Sequence, residues 1–220
     1  MLIRDVHSQS IPFLHLHDKV YQVLQMMNDS HVAHLPVVDK EKYIGIISED
    51  DLLHAEDDSM QIGLLKEDFP IPSISENEHF LKAIQIAVEN GITIVPVVDS
   101  DGDLAGVVTY ADLLRRASEF MSVNEPGGLI VIEMESRKYS FNEISRLVET
   151  NDAQITQLNT YTDAHTGMMQ VTIKINRMEV SDIVATFQRY DYNVKYYFGE
   201  ELYENELKTN YDNLMNYLKF

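Results

Sequence analysis

The sequence predicts an α+β protein in two parts: a module of sixty residues present twice in tandem, followed by a single-copy domain of strands and helices. Three observations carry this prediction. Residues 11–39 read again without a gap at 71–99, so that Ile11 and Pro12 return as Ile71 and Pro72, and Leu35, Pro36, Val37, Val38 and Asp39 return as Val95, Pro96, Val97, Val98 and Asp99. One inserted residue then shifts the offset to sixty-one, and Gly45, Ile46, Ile47, Ser48, Asp51 and Leu52 match Gly106, Val107, Val108, Thr109, Asp112 and Leu113. The repetition stops after Arg116, and Asn124, Glu125, Pro126, Gly127 and Gly128 form a linker into a stretch with its own periodicity. A duplicated module constrains topology strongly, because one copy cannot bury its apolar face alone. The division expected is repeat one at 1–62, repeat two at 63–122, a linker at 123–128, the second domain at 129–199 and a C-terminal helix at 200–220.

Within the second copy, Ser75, Glu76, Asn77 and Glu78 precede apolar residues at Phe80, Ala83, Ile84, Ala87 and Val88, a capping sequence followed by one apolar helix face. Asn90 and Gly91 stop that helix. The first copy has Val20, Val23, Leu24 and Met27 in the same register. The runs 34–38 and 94–98 read as strands buried on both faces, since they are almost continuously β-branched or aliphatic. A turn follows each, made in the second copy by Asp99, Ser100, Asp101 and Gly102. Further strands at 44–47 and 104–108 lead into helices that begin at Ser48 and Thr109.

In the single-copy part, 129–135 alternates as a strand, and Ser140 with Glu143 opens a helix whose inner face is Ile144, Leu147 and Val148. Strands follow at 153–162 and 168–176, separated by a turn at 163–167. A second helix carries Val180, Ile183, Val184 and Phe187, and 192–198 makes the last strand. The order strand, helix, strand, strand, helix, strand is the ferredoxin-like βαββαβ arrangement. Beyond it, Leu202, Leu207, Tyr211, Leu214 and Leu218 form an apolar stripe at helical spacing.

The doubled pattern of an aliphatic-Pro-Val-Val-Asp strand and a Gly-aliphatic-aliphatic-Ser/Thr-x-x-Asp-Leu segment resembles a tandem pair of CBS domains, over residues 1–120. That resemblance implies two repeats packed together, with a cleft between them that takes an adenosine compound: AMP, ADP, ATP or S-adenosylmethionine. Ser48 and Thr109 stand where a strand turns into a helix, where free amides attract a phosphate oxygen and the hydroxyl adds a hydrogen bond. Three residues on, the carboxylate of Asp51 or Asp112 can accept two hydrogen bonds from neighbouring ribose hydroxyls. The same spacing also reads as a capping box, in which hydroxyl and acid satisfy helix amides and nothing else. Both readings stand on the residues alone.

By the same resemblance, Ile11 and Phe13, with Ser73 in the second copy, lie near the base of the cleft, and the backbone around Leu35, Pro36, Val95 and Pro96 closes it. His34 stands where some family members offer a basic side chain to phosphate, and the second copy has Ile94 there. The two clefts are therefore expected to be unequal, with a phosphate tail towards His34; a solvated or core-edge histidine is the competing reading. His15, His17, His31 and His34 raise a transition-metal site, but no carboxylate joins them at a metal-binding spacing, so no metal is expected. The single-copy part, following a CBS pair, resembles an ACT domain, and the whole arrangement is similar to the acetoin-utilisation (AcuB) type of regulatory protein. ACT domains commonly bind amino acids beside a glycine where the first strand meets the first helix. Here the turn 135–140 has no glycine, which favours pairing between chains as its role.

Composition removes several function classes. A formal charge of −19, with no cluster of Lys and Arg, disfavours nucleic acid and anionic membrane surfaces. The chain has no cysteine, hence no disulfide, thiolate nucleophile or Cys-ligated metal. Met1 to His7 meets an acid at once without a long apolar core, so no secretory leader is expected, and a cytoplasmic setting fits. No Gly-x-Ser-x-Gly elbow, phosphate-binding Gly-Lys-Ser loop or His-Glu-x-x-His helix is present, so an enzyme is not expected. The reading is a homodimeric regulatory protein that senses an adenine nucleotide or related adenosyl ligand, with no required cofactor and a possible protein target. The alternatives are an interaction scaffold with empty clefts and an amino-acid sensor acting through the ACT-like part.

Overall fold

The computed structural model of the protein describes residues 1–199 apart from Gln9 and Glu56; the expected C-terminal helix at 200–220 lies outside the described residues. The chain divides into one unit spanning Met1–Ser118 and a second beginning at Glu119. In the first unit, repeat one runs β1 (Leu14–His15), α1 (Val20–Ser30), β2 (His34–Asp39), β3 (Lys42–Ser48) and α2 (Glu49–Leu53). After a 3-10 helix at Ile62–Asp68, repeat two runs β4 (Ile74–Ser75), α3 (Phe80–Asn90), β5 (Ile94–Val98), β6 (Leu104–Thr109) and α4 (Tyr110–Phe120).

Each repeat makes a three-stranded sheet by the same rule. The two-residue strand β1 or β4 pairs in parallel with β2 or β5, which pairs antiparallel with β3 or β6. Both hairpins slip register at the same place, between Val37 and Val38 and between Val97 and Val98. Leu35 and Val95 are wholly buried, and β2 and β5 are covered on both faces as their composition requires. Helix α1 buries Val20, Val23 and Met27, and α3 buries Phe80, Ala83 and Ala87, the 3.6-residue stripe that holds each helix on its sheet. The helices end on left-handed residues, Gly91 at φ 64° in repeat two and His31 at φ 54° in repeat one.

Packing crosses the boundary drawn in sequence between residues 62 and 63, because the repeats exchange arms. Ile3 and Val6 belong to the apolar cluster built around Phe80, in repeat two, while Phe69 belongs to the cluster of Leu14, Val20 and Leu35 in repeat one. Ser8 exchanges backbone hydrogen bonds with Val107 of β6 at 2.8 and 3.0 Å, and Ile46 of β3 donates its N–H to Pro70 at 2.9 Å. The glycine of each repeated strand is where the foreign arm passes. A Cβ on Gly45 would lie 2.7 Å from Phe69 Cβ and 2.9 Å from Pro70 O, and one on Gly106 would lie 2.8 Å from Ser8 O. Gly45 also holds φ at +147°, which side-chain-bearing residues rarely adopt.

The second unit runs β7 (Leu129–Glu135), α5 (Phe141–Glu149), β8 (Ile155–Thr162), β9 (Met168–Ile175), α6 (Ser181–Arg189) and β10 (Asn193–Phe198). Its antiparallel sheet has the order β10-β7-β9-β8. Ile130, Ile132 and Met134 of β7 and Val171, Ile173 and Ile175 of β9 share a core with Ile144, Leu147 and Val148 of α5 and with Ile183, Val184 and Phe187 of α6. Ser140 caps α5 by accepting the Glu143 N–H at 3.3 Å. No described helix is long and apolar enough to cross a membrane.

Candidate functional site

The repeated motif places a hydroxyl and a carboxylate at each strand-to-helix junction in nearly superposable arrangements. At the end of β3, Ser48 Oγ–H donates to Asp51 Oδ2 at 2.6 Å, the Ser48 N–H donates to the same oxygen at 3.2 Å, and the Asp51 N–H returns to Ser48 Oγ at 3.1 Å. At the end of β6 the corresponding distances for Thr109 and Asp112 are 2.7, 3.2 and 3.1 Å. Both are closed capping boxes. Each hydroxyl is hydrogen-bonded to its own aspartate in this state, so a phosphate or ribose arriving here has to exchange with those bonds.

Beyond the boxes the junctions differ. Asp51 lines a cavity of about 310 Å³ with Ile47, His54 and Ala55 of its own junction and Leu65, Asp68 and Phe69 of the connector. Asp112 lies 3.6 Å from the Arg115 guanidinium on the next turn of α4. His34 is half-buried and opposite Ser48 in the ladder. Its Nδ1 accepts the Thr93 N–H at 3.3 Å and lies 3.1 Å from Thr93 Oγ1, which in turn accepts the Ala33 N–H at 3.2 Å. The Thr93 N–H can only donate, so its bond to Nδ1 requires the ring proton on Nε2, whereas the Thr93 hydroxyl oxygen can also accept from a protonated Nδ1. Burial pushes the imidazole below its ordinary value, and the nearby carboxylates of Asp51 and Asp50 oppose that shift. A neutral ring can offer a phosphate one N–H donor but no charge.

The remaining expected positions scatter around these junctions. Phe13 is 51% exposed, packs edge-on against His15, and lines a separate hollow of about 220 Å³ with Lys40, Glu41, Asp103 and Leu104. Ile11 packs against the apolar cluster of repeat one, and Ser73 is half-buried beside Pro72, whose carbonyl accepts the Tyr43 hydroxyl at 2.8 Å. Burial drives the Tyr43 phenol up. Leu35 and Val95 turn their side chains into the repeat cores, and Pro36 and Pro96 sit in the ladder opposite Ile46 and Val107, so these four have only backbone to offer a ligand. Sequence reading missed Thr93, His54, Asp68 and Phe69. The only trace was at Thr93: an asymmetry of the duplication, Ala33 against Thr93 and His34 against Ile94. Among the described residues no group of three or more metal-ligating side chains is placed to hold an ion; His15 and His17 stack at 5.4 Å instead.

The second unit has a hollow of about 530 Å³ where β7 meets α5, walled by Glu133, Glu135, Glu143, Lys138, Tyr190 and Tyr192 among others. Burial and the Glu143 carboxylate push the Tyr192 phenol up to about 12. Glu135 is held below the usual carboxylate range by Arg137 and Lys138, which leaves the walls largely anionic.

Against known proteins, residues 3–58 and 66–119 match the profile of the CBS domain. An inosine-5'-monophosphate dehydrogenase of Methanocaldococcus jannaschii is 25% identical over 134 residues, which is 60% of this chain and 27% of the dehydrogenase. The chain thus spans about a quarter of that relative. A CBS domain pair/ACT domain protein of Thermotoga maritima superposes with a TM-score of 0.50 at 22% identity, covering 55% of this chain and 99% of that one. A putative acetoin utilization protein (AcuB) of Vibrio cholerae gives a TM-score of 0.49 at 20% identity, over 57% of this chain and 96% of that one.

Proposed function

This chain belongs to the CBS-domain family, and from that premise we propose that it is a cytoplasmic, non-enzymatic regulatory protein whose paired repeats bind an adenine nucleotide or S-adenosylmethionine. The observation that supports this reading is the doubled junction: the same hydroxyl, carboxylate and helix amides occur once per repeat, with Asp51 on the wall of a cavity. Helix amides and hydroxyl suit a phosphate oxygen, and the aspartate suits vicinal ribose hydroxyls once the box opens. The second unit, read as an ACT-type domain, supports homodimerisation or passes the state of the repeats to a target. A ligand shifts the relative placement of the two repeats only by as much as it binds one arrangement more tightly than the other.

Isothermal titration with AMP, ADP, ATP and S-adenosylmethionine, on wild type and on Asp51→Ala and Asp112→Ala, decides the matter. Heat with at least one of the four, weakened by either substitution, is the expected result. No heat with any of them removes the proposal and leaves an interaction scaffold in which the boxes are caps alone. A second reading, amino-acid sensing in the second unit, has a hollow of suitable size, but its glutamate-rich wall repels an α-carboxylate. Absence of any melting shift across the twenty amino acids would close that alternative.

A further inference from the structure

The two junctions are physically joined. The Glu49 N–H, the first of α2, donates to Ala33 O at 2.9 Å, and the Tyr110 N–H, the first of α4, donates to Thr93 O at 3.1 Å. Between those carbonyls, the Ala33 N–H donates to Thr93 Oγ1 and the Thr93 N–H donates to His34 Nδ1. An unbroken path of hydrogen bonds and peptide units therefore runs from the start of one helix to the start of the other, across the repeat boundary. At the equivalent places on the other side of the duplication stand Ala33 and Ile94, which have neither a hydroxyl nor a ring nitrogen, so this polar link is made once.

We infer that Thr93 and His34 are positioning residues that hold the N-termini of α2 and α4 as one unit, with His34 acting only as a neutral acceptor. Protonating the ring turns Nδ1 into a donor, which gives up the bond from the Thr93 N–H and leaves that N–H facing another donor, with only Thr93 Oγ1, 3.1 Å away, to accept from the ring. The charged groups facing the ring are Asp51 and Asp50 of α2, which favour the imidazolium; on the β5 side stands Thr93, which carries no charge. Burial opposes protonation and keeps the link closed near neutral pH. Acidification then loosens both junctions together. This goes beyond the nucleotide proposal and stands or falls on ligand-free protein.

Amide hydrogen exchange of the full chain, corrected for intrinsic rate, provides the test at Glu49 and Tyr110, together with nitrogen-15 spectra of the His34 ring. In wild type the ring is expected as the Nε2–H tautomer with a midpoint below 6.5, and protection of both amides falls with that same midpoint. His34→Asn keeps an acceptor for the Thr93 N–H and cannot titrate, so protection persists and becomes independent of pH in this window. His34→Leu and Thr93→Val each lower protection at both amides about fivefold to tenfold at neutral pH, the effect of a lost hydrogen bond, and Thr93→Ser restores it. Two results overturn the inference: a pH response of His34→Asn equal to that of wild type, or a loss confined to the junction nearest the substitution. Should His34→Leu fail to fold, the asparagine variant and the tautomer measurement still decide.

Discussion

The two repeats solve one folding problem with different residues, and the differences show which parts of the module are fixed by geometry. Both keep a proline in the middle strand, a glycine where the exchanged arm crosses and a capping box at the second helix. They diverge wherever the constraint is only to fill space or end a helix. Repeat two anchors its first helix with Phe80 where repeat one has Val20, and ends it with Gly91 where repeat one has His31. The second helices diverge most, five residues in α2 and eleven in α4. Repeat one, with its shorter helix, has the cavity beside Asp51, whereas in repeat two the matching carboxylate is approached by Arg115.

Paired substitutions sharpen this comparison. The largest contrast is expected in the cores: Phe80→Ala should cost about 3–5 kcal/mol and Val20→Ala about 2 kcal/mol by urea denaturation, since both are wholly buried and differ in the volume removed. Equal losses would mean that the two cores do not carry separate loads. Next come the arm crossings. Gly45→Ala and Gly106→Ala each force an atom against the foreign arm, about 1–3 kcal/mol of overpacking, and Gly45→Ala adds backbone strain at φ +147°. Gly106→Ala proving the worse of the two would show that contact alone, not conformation, selects this glycine.

Smaller effects probe the junctions. Asp51→Ala and Asp112→Ala each remove the acceptor of two hydrogen bonds and are expected to lower stability by ~1 kcal/mol in thermal melts, with Asp112→Ala also freeing Arg115. For His34 the sign follows from burial. Its folded pKa lies below the ordinary 6.5, so its contribution to stability is complete above that value and is lost as pH falls from 6.5 through the lower folded pKa. A titration of melting temperature should show that decline in wild type, and His34→Asn should flatten it. The smallest contrast is at the helix ends. His31→Gly relieves a left-handed residue and should stabilise by about 0.5–1 kcal/mol, while Gly91→Ala should destabilise by a similar amount despite open space around it. Opposite signs in the melts would overturn this account of the caps.

Most of the architecture was legible because it is written locally. The strand 129–135, the cap at Ser140 and the junctions at Ser48 and Thr109 stand where capping chemistry and alternation put them. Two-residue strands such as β1 and β4 leave no periodicity to read, and the 3-10 helix at Ile62–Asp68 has no apolar stripe of a full helical turn. The exchanged arms were invisible for a deeper reason: Ile3 and Val6 look like any short apolar pair, and only the fold says which repeat they serve. At the candidate site the paired hydroxyls and acids were legible as a motif. The role of Thr93 was not, since its partner stands 59 residues away.

The exchange of arms fixes an order of assembly. Residues 3–8 are made before either repeat, yet the apolar groove they fill is completed only when β5 and β6 have followed. Repeat one waits only for the connector, which brings Phe69 to it before repeat two is made. Repeat two, by contrast, is completed by a segment from the far side of repeat one. Separating the halves at the apparent seam of the duplication would yield two modules, each missing a piece that travels with the other.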